Sequence, residues 1–158
     1  RGMSENSALV KGVNRAWDAG LVVVVAAGNN GPRTMSITTP GISRKVITVG
    51  CSDDDREVLV GGNRMVDYSG RGPTAACICK PDLVAPGCSV VSCSSRADKY
   101  TIMSTPIVSG AVALLLERFP DMSNKDVKLR LRESSVDIGL PRNQQGWGLL
   151  DVGKMLER

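Results

Sequence analysis

The chain has 158 residues, 42% hydrophobic and 23% charged, and a net charge of +4 from 20 basic and 16 acidic residues. This is the balance of one ordinary globular domain spanning residues 1–158. It contains no histidine and only 3% aromatic residues, which excludes a Ser-His-Asp or Cys-His relay and a His-ligated zinc site built from this chain alone, and leaves little for a nucleic-acid stacking surface.

Residues 4–19 are predicted to form an amphipathic helix, capped by Ser4 or Asn6, with Leu9, Val10, Val13 and Trp17 on one stripe and Gly20 as its stop. Leu21-Val22-Val23-Val24-Val25-Ala26-Ala27 follows at once. So short a continuous β-branched run reads as a strand buried on both faces, as in a parallel sheet covered by helices. It is the longest apolar run and falls far short of a membrane span, so no membrane partner is expected. Arg1 to Asn6 lacks the apolar core of a secretory signal, so none is expected here. Gly28-Asn29-Asn30-Gly31-Pro32 is a dense turn signal.

Residues 45–50 read as a second buried strand, and Asp53-Asp54-Asp55-Arg56 as a polar turn. Glu57 to Val60 and Met65 to Tyr68 suggest a hairpin around Gly61-Gly62-Asn63. A loop-rich stretch with Pro73, Pro81 and Pro86 leads to a strand at Ser89 to Ser94. The longest helix is expected from about Thr105 to Phe119, with Pro106 in its first turn, where a missing N–H costs nothing. Ile107 to Leu116 is apolar nearly all round, with Ser109 and Gly110 small enough for close packing, which describes a central buried helix. Ser123-Asn124-Lys125-Asp126 resembles a capping box opening a surface helix to about Ser134, on which the bases from Lys125 to Arg132 form a solvated face. Gly146-Trp147-Gly148 is a turn, and Leu149 to Leu156 a short terminal helix.

The cysteines are Cys51, Cys77, Cys79, Cys88 and Cys93. An odd count without framework spacing points to thiols in a reducing compartment, so a cytoplasmic location is expected. Cys77-Ile78-Cys79 makes a poor metal cage without a second pair, and Asp53-Asp54-Asp55 lacks the loop spacing of a calcium site and reads as a solvated turn. No metal and no cofactor are expected, calcium being the alternative at the aspartates.

Several segments together resemble the subtilisin-like serine peptidases, the subtilases. Val22-Val23-Val24-Val25-Ala26-Ala27-Gly28-Asn29-Asn30-Gly31 is similar to the family's strand-to-loop segment with the oxyanion asparagine. Asp67-Tyr68-Ser69-Gly70-Arg71-Gly72-Pro73-Thr74 is similar to its F-S-x-R-G-P-T loop, and Lys80-Pro81-Asp82-Leu83-Val84-Ala85-Pro86-Gly87 to K-P-D-[LV]-x-A-P-G. Met103-Ser104-Thr105-Pro106-Ile107-Val108-Ser109-Gly110 resembles the end of G-T-S-M-[AS]-T-P-x-V-[AS]-G, and Gly146-Trp147-Gly148-Leu149-Leu150-Asp151 the closing G-x-G-x-[LIV]-[DN]. The resemblance implies an α/β fold of three layers, a mostly parallel doubly wound sheet with a buried central helix, here as a partial domain.

It also implies a serine endopeptidase acting on a peptide or protein through an acyl-enzyme, of which this chain is the C-terminal part. The family's triad runs Asp, His, Ser in chain order, and the chain would begin after the first two. At the nucleophile, an in-register alignment puts Tyr100 on the family's Gly and Ile102 on its Ser. Alternatively, Tyr100-Thr101-Ile102 is the preceding strand, and a short segment holding Gly-Thr-Ser is missing between Ile102 and Met103. The second alignment is preferred, because Tyr at a position of close backbone approach would be costly. In both, the nucleophile's hydroxyl is missing and the chain alone is expected to be inactive.

By the same resemblance Asn29 is the side-chain donor of the oxyanion hole, although an Asn beside Gly also suits a left-handed turn. Gly28, Gly31 and the Thr39-Pro40-Gly41 turn wall the specificity pocket. Ser104 and Thr105 are read as helix caps, lacking a base to activate either. Asp82 is read as a hydrogen-bonded structural carboxylate, with a cation beside the loops as the alternative. The missing N-terminal half or a second copy is the expected partner, and the second functional reading is a pseudoprotease module that binds peptide or a partner chain without cleavage.

Overall fold

The computed structural model describes residues 4–60, 63–88, 90 and 103–157, and its frame is a parallel sheet of three strands. These are β1 (Val24–Ala26), β2 (Ile47–Cys51) and β5 (Leu83–Ala85), in the order β1-β2-β5. Val24 lies opposite Ile47 and Val49 opposite Leu83. All five residues of β2 are buried, so both faces of the sheet are covered at its centre. At β1 the expectation of burial on both faces is not met: Val24 and Val25 are half-buried, Ala26 is exposed and Leu21 is 60% exposed. Among the described residues β1 has a strand on one side only, so it forms an edge, where burial is shallower.

The first helix, α1 (Ala8–Asp18), is capped by Ser7 rather than Ser4 or Asn6: the Ser7 hydroxyl accepts the Val10 N–H at 3.3 Å. Its apolar stripe is narrower than predicted. Val10 and Trp17 are buried and Val13 packs on the core, but Leu9 is 55% exposed. A hairpin forms, as β3 (Val58–Val60) and β4 (Asn63–Met65), but its second strand starts at Asn63, a residue of the predicted turn, and ends at Met65 instead of running to Tyr68. Its turn at 61–62, the predicted strand at 89–94 apart from residue 90, and the gap between Ile102 and Met103 lie outside the described residues.

α2 (Ser104–Arg118) packs across β1, β2 and β5, burying Ser104, Val108, Ala111, Val112 and Leu115. Its all-round apolarity overstates its burial in this chain. Ser109, Gly110, Ala113 and Leu114 are exposed, and nothing lies within 4 Å of where a Gly110 side chain would begin. α3 (Asn124–Ser134) starts with the predicted capping box, Ser123 and Asp126 bonding reciprocally. Lys128, expected on its solvated face, instead reaches inward to the carbonyls of Arg44, Lys45 and Val46 at 2.9–3.0 Å. A four-carbon stem lets a lysine lie along apolar surface, here beside Trp17, while its ammonium finds acceptors.

Two elements escape the sequence reading. β5 falls in the stretch read as loop, because a strand of only three residues flanked by Pro81 and Pro86 shows no period. α4 (Arg142–Gln145) is a single turn. Leu149, predicted to open the last helix, is extended and bridges Val84 on one side and Val136 on the other. α5 (Val152–Leu156) begins only after Asp151, whose carboxylate accepts the Lys154 N–H at 2.9 Å. These bridges join the closing segment to β5. Trp147 N–H donates to Asp82 O at 2.7 Å, and Gly146 turns there with φ 61°, its absent side chain making room for the Pro81 and Asp82 carbonyls.

Candidate active site

β1 and β2 end side by side, and the first turn of α2 meets them there. Ala26, Ala27, Gly28 and Asn29 from the end of β1, Val49 to Cys51 from β2, Tyr68 and Ser69 from the loop beyond the hairpin, and Ser104 and Thr105 from α2 line one cleft of about 120 Å³. Ligand sites of parallel sheets form at these carboxyl ends of strands. The helix contributes its positive end, and among the described residues no side chain caps it, which leaves its first N–H groups for another partner.

Asn29 is exposed at the lip of this cleft. Gly28 has φ 97°, and a Cβ there would stand 2.2 Å from Thr38 Oγ1, so only glycine carries the chain round to the asparagine. The loop is then pinned: Gly70 N–H donates to Gly28 O and Gly31 N–H to Tyr68 O, both at 2.8 Å. Gly31, Pro40 and Gly41 lie behind this wall rather than along it. A Cβ at Gly31 would meet Ser69 O, and one at Gly41 would meet Ala26 O. The Gly41 carbonyl accepts the Thr48 hydroxyl at 2.7 Å and Pro40 O accepts Ser43 N–H at 3.0 Å. Of the expected site residues, Gly28 and Asn29 line the cleft, and Gly31, Pro40 and Gly41 are not among the residues that line it.

Ser104 and Thr105 do not cap α2. The Ser104 hydroxyl donates to Ala85 O at 2.9 Å, fastening the helix start to the end of β5. Nor is the Asp53-Asp54-Asp55 turn simply solvated. Asp53 Oδ1 accepts the N–H groups of Gly87 and Cys88, and Asp54, buried, accepts Ser69 N–H at 2.8 Å. Asp55 alone is exposed. Burial pushes the Asp54 carboxyl above its ordinary value, while hydrogen bonds from Gly87, Cys51 and Cys88 outweigh burial and hold Asp53 below it. Asp82 is a structural carboxylate, but the cations beside it are lysines: Lys80 Nζ at 2.5 Å and Lys128 Nζ at 3.7 Å.

Sequence reading missed Cys51 as a cleft residue. Its thiol is buried, donates to Asp53 Oδ1 at 3.1 Å and lies 3.4 Å from the Tyr68 hydroxyl. Only the strand register places it there, although the Tyr68-Ser69 motif beside it was visible. Burial pushes this thiol up from 9.0 to about 11. Cys77 and Cys79 are exposed. At about pH 8 a disulfide reagent is therefore expected to form lasting adducts on the exposed Cys77 and Cys79 and none on the buried Cys51 of the folded chain, since the thiolate is the reactive form. The folded thiol also holds its proton more tightly than the unfolded one. Its contribution to stability is whole below pH 9 and is lost as pH rises through about 11. Urea midpoints across that range should fall more for the native chain than for a Cys51→Ser variant; parallel declines would refute the shift.

Fold and cleft together define an α/β protein whose site lies where parallel strands end against a helix N-terminus. The chain belongs to the subtilase family, whose model matches residues 2–148. It is 39% identical over 145 residues to the serine protease AprX of Bacillus subtilis (strain 168), covering 80% of this chain and 33% of that protein. It is 33% identical over 158 residues to subtilisin DY of Bacillus licheniformis, covering 96% and 52%. Among solved structures, the S218A mutant of the protease domain of PatA superposes with a TM-score of 0.71 at 24% identity, covering 98% of this chain and 54% of that one, which shows the shared fold. The chain spans a third of AprX and about half of subtilisin DY.

Proposed function

We propose that this chain is the rear portion of a serine endopeptidase domain and supplies the wall that stabilises the oxyanion during peptide-bond hydrolysis. The observation that carries this reading is the cleft shared by Asn29 and the first turn of α2. In acyl transfer a serine oxygen attacks the peptide carbonyl, a base takes the serine's proton, and donors hold the charge that develops on the carbonyl oxygen. The Asn29 amide and the uncapped start of α2 fit the last of these roles. The chain has no histidine to act as base, and Ile102 stands directly before Met103, with no hydroxyl to attack. The attacking serine, its base and the aspartate that orients the base therefore come from outside these residues, and the chain by itself is inactive. Its partner is the remainder of the domain, since a second copy of these residues, the alternative partner, holds no histidine either, and the substrate is a peptide or protein.

A module that holds peptide without cleaving it is the second reading, favoured by Ile102 at the position next to Met103. Fluorophosphonate labelling separates the two. The 158-residue chain is expected to take no label and leave casein intact, whereas the native gene product, isolated from its source, takes one label per molecule and cleaves casein. Labelling of the chain itself would overturn the missing nucleophile. A native product that retains peptide but neither labels nor cleaves would leave the binding module.

A further inference from the structure

Two cysteines that the chemistry above does not use share one apolar pocket under the cleft. Cys51, Val58 and Tyr68 form a buried cluster, and Cys88 packs against it half-buried, together with Met65. The sheet brings them there. Cys51 ends β2 opposite Ala85, the end of β5, and the chain then bends at Gly87, where a Cβ would stand 3.2 Å from Cys51 Sγ. A single oxygen ties the two segments: Asp53 Oδ1 accepts the Cys51 S–H at 3.1 Å, the Gly87 N–H at 2.8 Å and the Cys88 N–H at 3.1 Å. Cys51 Sγ and the Cys88 backbone nitrogen therefore sit on the same carboxylate oxygen, which brings the two cysteines to neighbouring positions although Cys88 lies beyond the end of β5. Both cysteines also act on the Tyr68 hydroxyl, which burial first, and then the Cys51 hydrogen bond and the charges of the two sulfurs, raise above its ordinary value. No disulfide joins the described cysteines in this structure.

We propose that Cys51 and Cys88 are a redox-reactive pair that closes to a disulfide when the chain meets a low-molecular-weight disulfide such as oxidised glutathione. Cys88, the more accessible sulfur, attacks as its thiolate. Its bond to one glutathione sulfur forms as the glutathione S–S bond breaks, and the first glutathione leaves as a thiolate that is protonated by water. Cys51 then loses its proton to solvent hydroxide, and its thiolate Sγ attacks the Cys88 sulfur. The second glutathione leaves as a thiolate and is protonated by water. Two protein thiols are oxidised and one glutathione disulfide is reduced to two thiols. The new bond lies in the floor of the Asn29 cleft, which Cys51 lines.

The folded chain should be incubated with oxidised glutathione at about pH 8, quenched with acid, digested without reductant and mapped by mass spectrometry. The expected product is a Cys51–Cys88 linked peptide, two hydrogens lighter than its two parts, which disappears in both Cys51→Ser and Cys88→Ser. In Cys51→Ser, a glutathione adduct should persist on Cys88, since its resolving thiol is gone; the more accessible site makes this readout independent of any loosening at the buried one. A stable adduct on Cys88 in the native chain with Cys51 unmodified, or Cys88 linked only to another cysteine, would overturn the pairing. The readout is independent of peptidase activity.

Discussion

Asp82→Ala is expected to cost about 3–5 kcal/mol of stability, the range for removing one partner of a buried ion pair. Lys80 is 1% exposed, and its ammonium has two partners: the Asp82 carboxylate at 2.5 Å and Val46 O at 3.0 Å. Burial pulls the Lys80 amine below its ordinary value, and the Asp82 charge opposes that shift. Without the carboxylate the charge is left with a single carbonyl. The same oxygen, Asp82 Oδ2, also accepts the Thr48 N–H at 2.7 Å, in the middle of β2, so a buried backbone donor loses its partner too. Lys128, which burial pulls down to about 8 despite its ion pair, would lose its one carboxylate partner among the described residues.

The loss is set by the orphaned groups, and a second substitution tests that. Lys80→Met together with Asp82→Asn removes the buried charge while leaving an amide oxygen to accept the Thr48 N–H. This double variant is expected to be more stable than Asp82→Ala alone, although it carries more changes, because pairs in contact do not add. Urea unfolding of the three chains decides it. Against a total stability of about 5–15 kcal/mol for a domain, Asp82→Ala should lower the urea midpoint by at least about a fifth. A cost below about 1 kcal/mol would mean that Asp82 behaves like an exposed partner.

The features legible in the sequence are those whose cause is local. The Ser123–Asp126 capping box and the end of α1 at Gly20 depend on residues within one helical turn, and both form as read. The five motifs gave the family because they recur in order along the chain. Lys128 was hidden for the opposite reason: a base on a helix face says nothing about three carbonyls more than 80 residues away. Asp53 and Asp54 look like a solvated turn until the loop at 67–70 and the bend at Gly87 fold onto them. β5 is too short to show a period and is fixed by its neighbours β2 and Leu149. In the candidate site, Gly28 and Asn29 could be read from a motif, whereas Cys51 is placed only by the register of β2 against β5. α2 erred toward too much burial because periodicity reports what a helix can cover, and its outer side is uncovered in this chain.

In the endopeptidase proposed above, Asn29→Ala is expected to lower kcat about 100- to 1,000-fold, the loss measured when a subtilisin's oxyanion-hole asparagine is removed. The reason lies in when the amide acts. A donor aimed at the charge that forms on the carbonyl oxygen binds the transition state better than the bound substrate, so its loss falls on kcat and leaves KM nearly unchanged. Asn29 is exposed at the cleft lip, so it makes little contribution to the core, and the urea midpoint of the variant should match that of the native chain. That separates a chemical role from a turn-forming one: Asn29→Gly, which tolerates any turn conformation, should lose as much activity as the alanine variant. Full activity in Asn29→Gly would assign the residue to the turn alone. A rise in KM with kcat intact would place it in substrate binding instead.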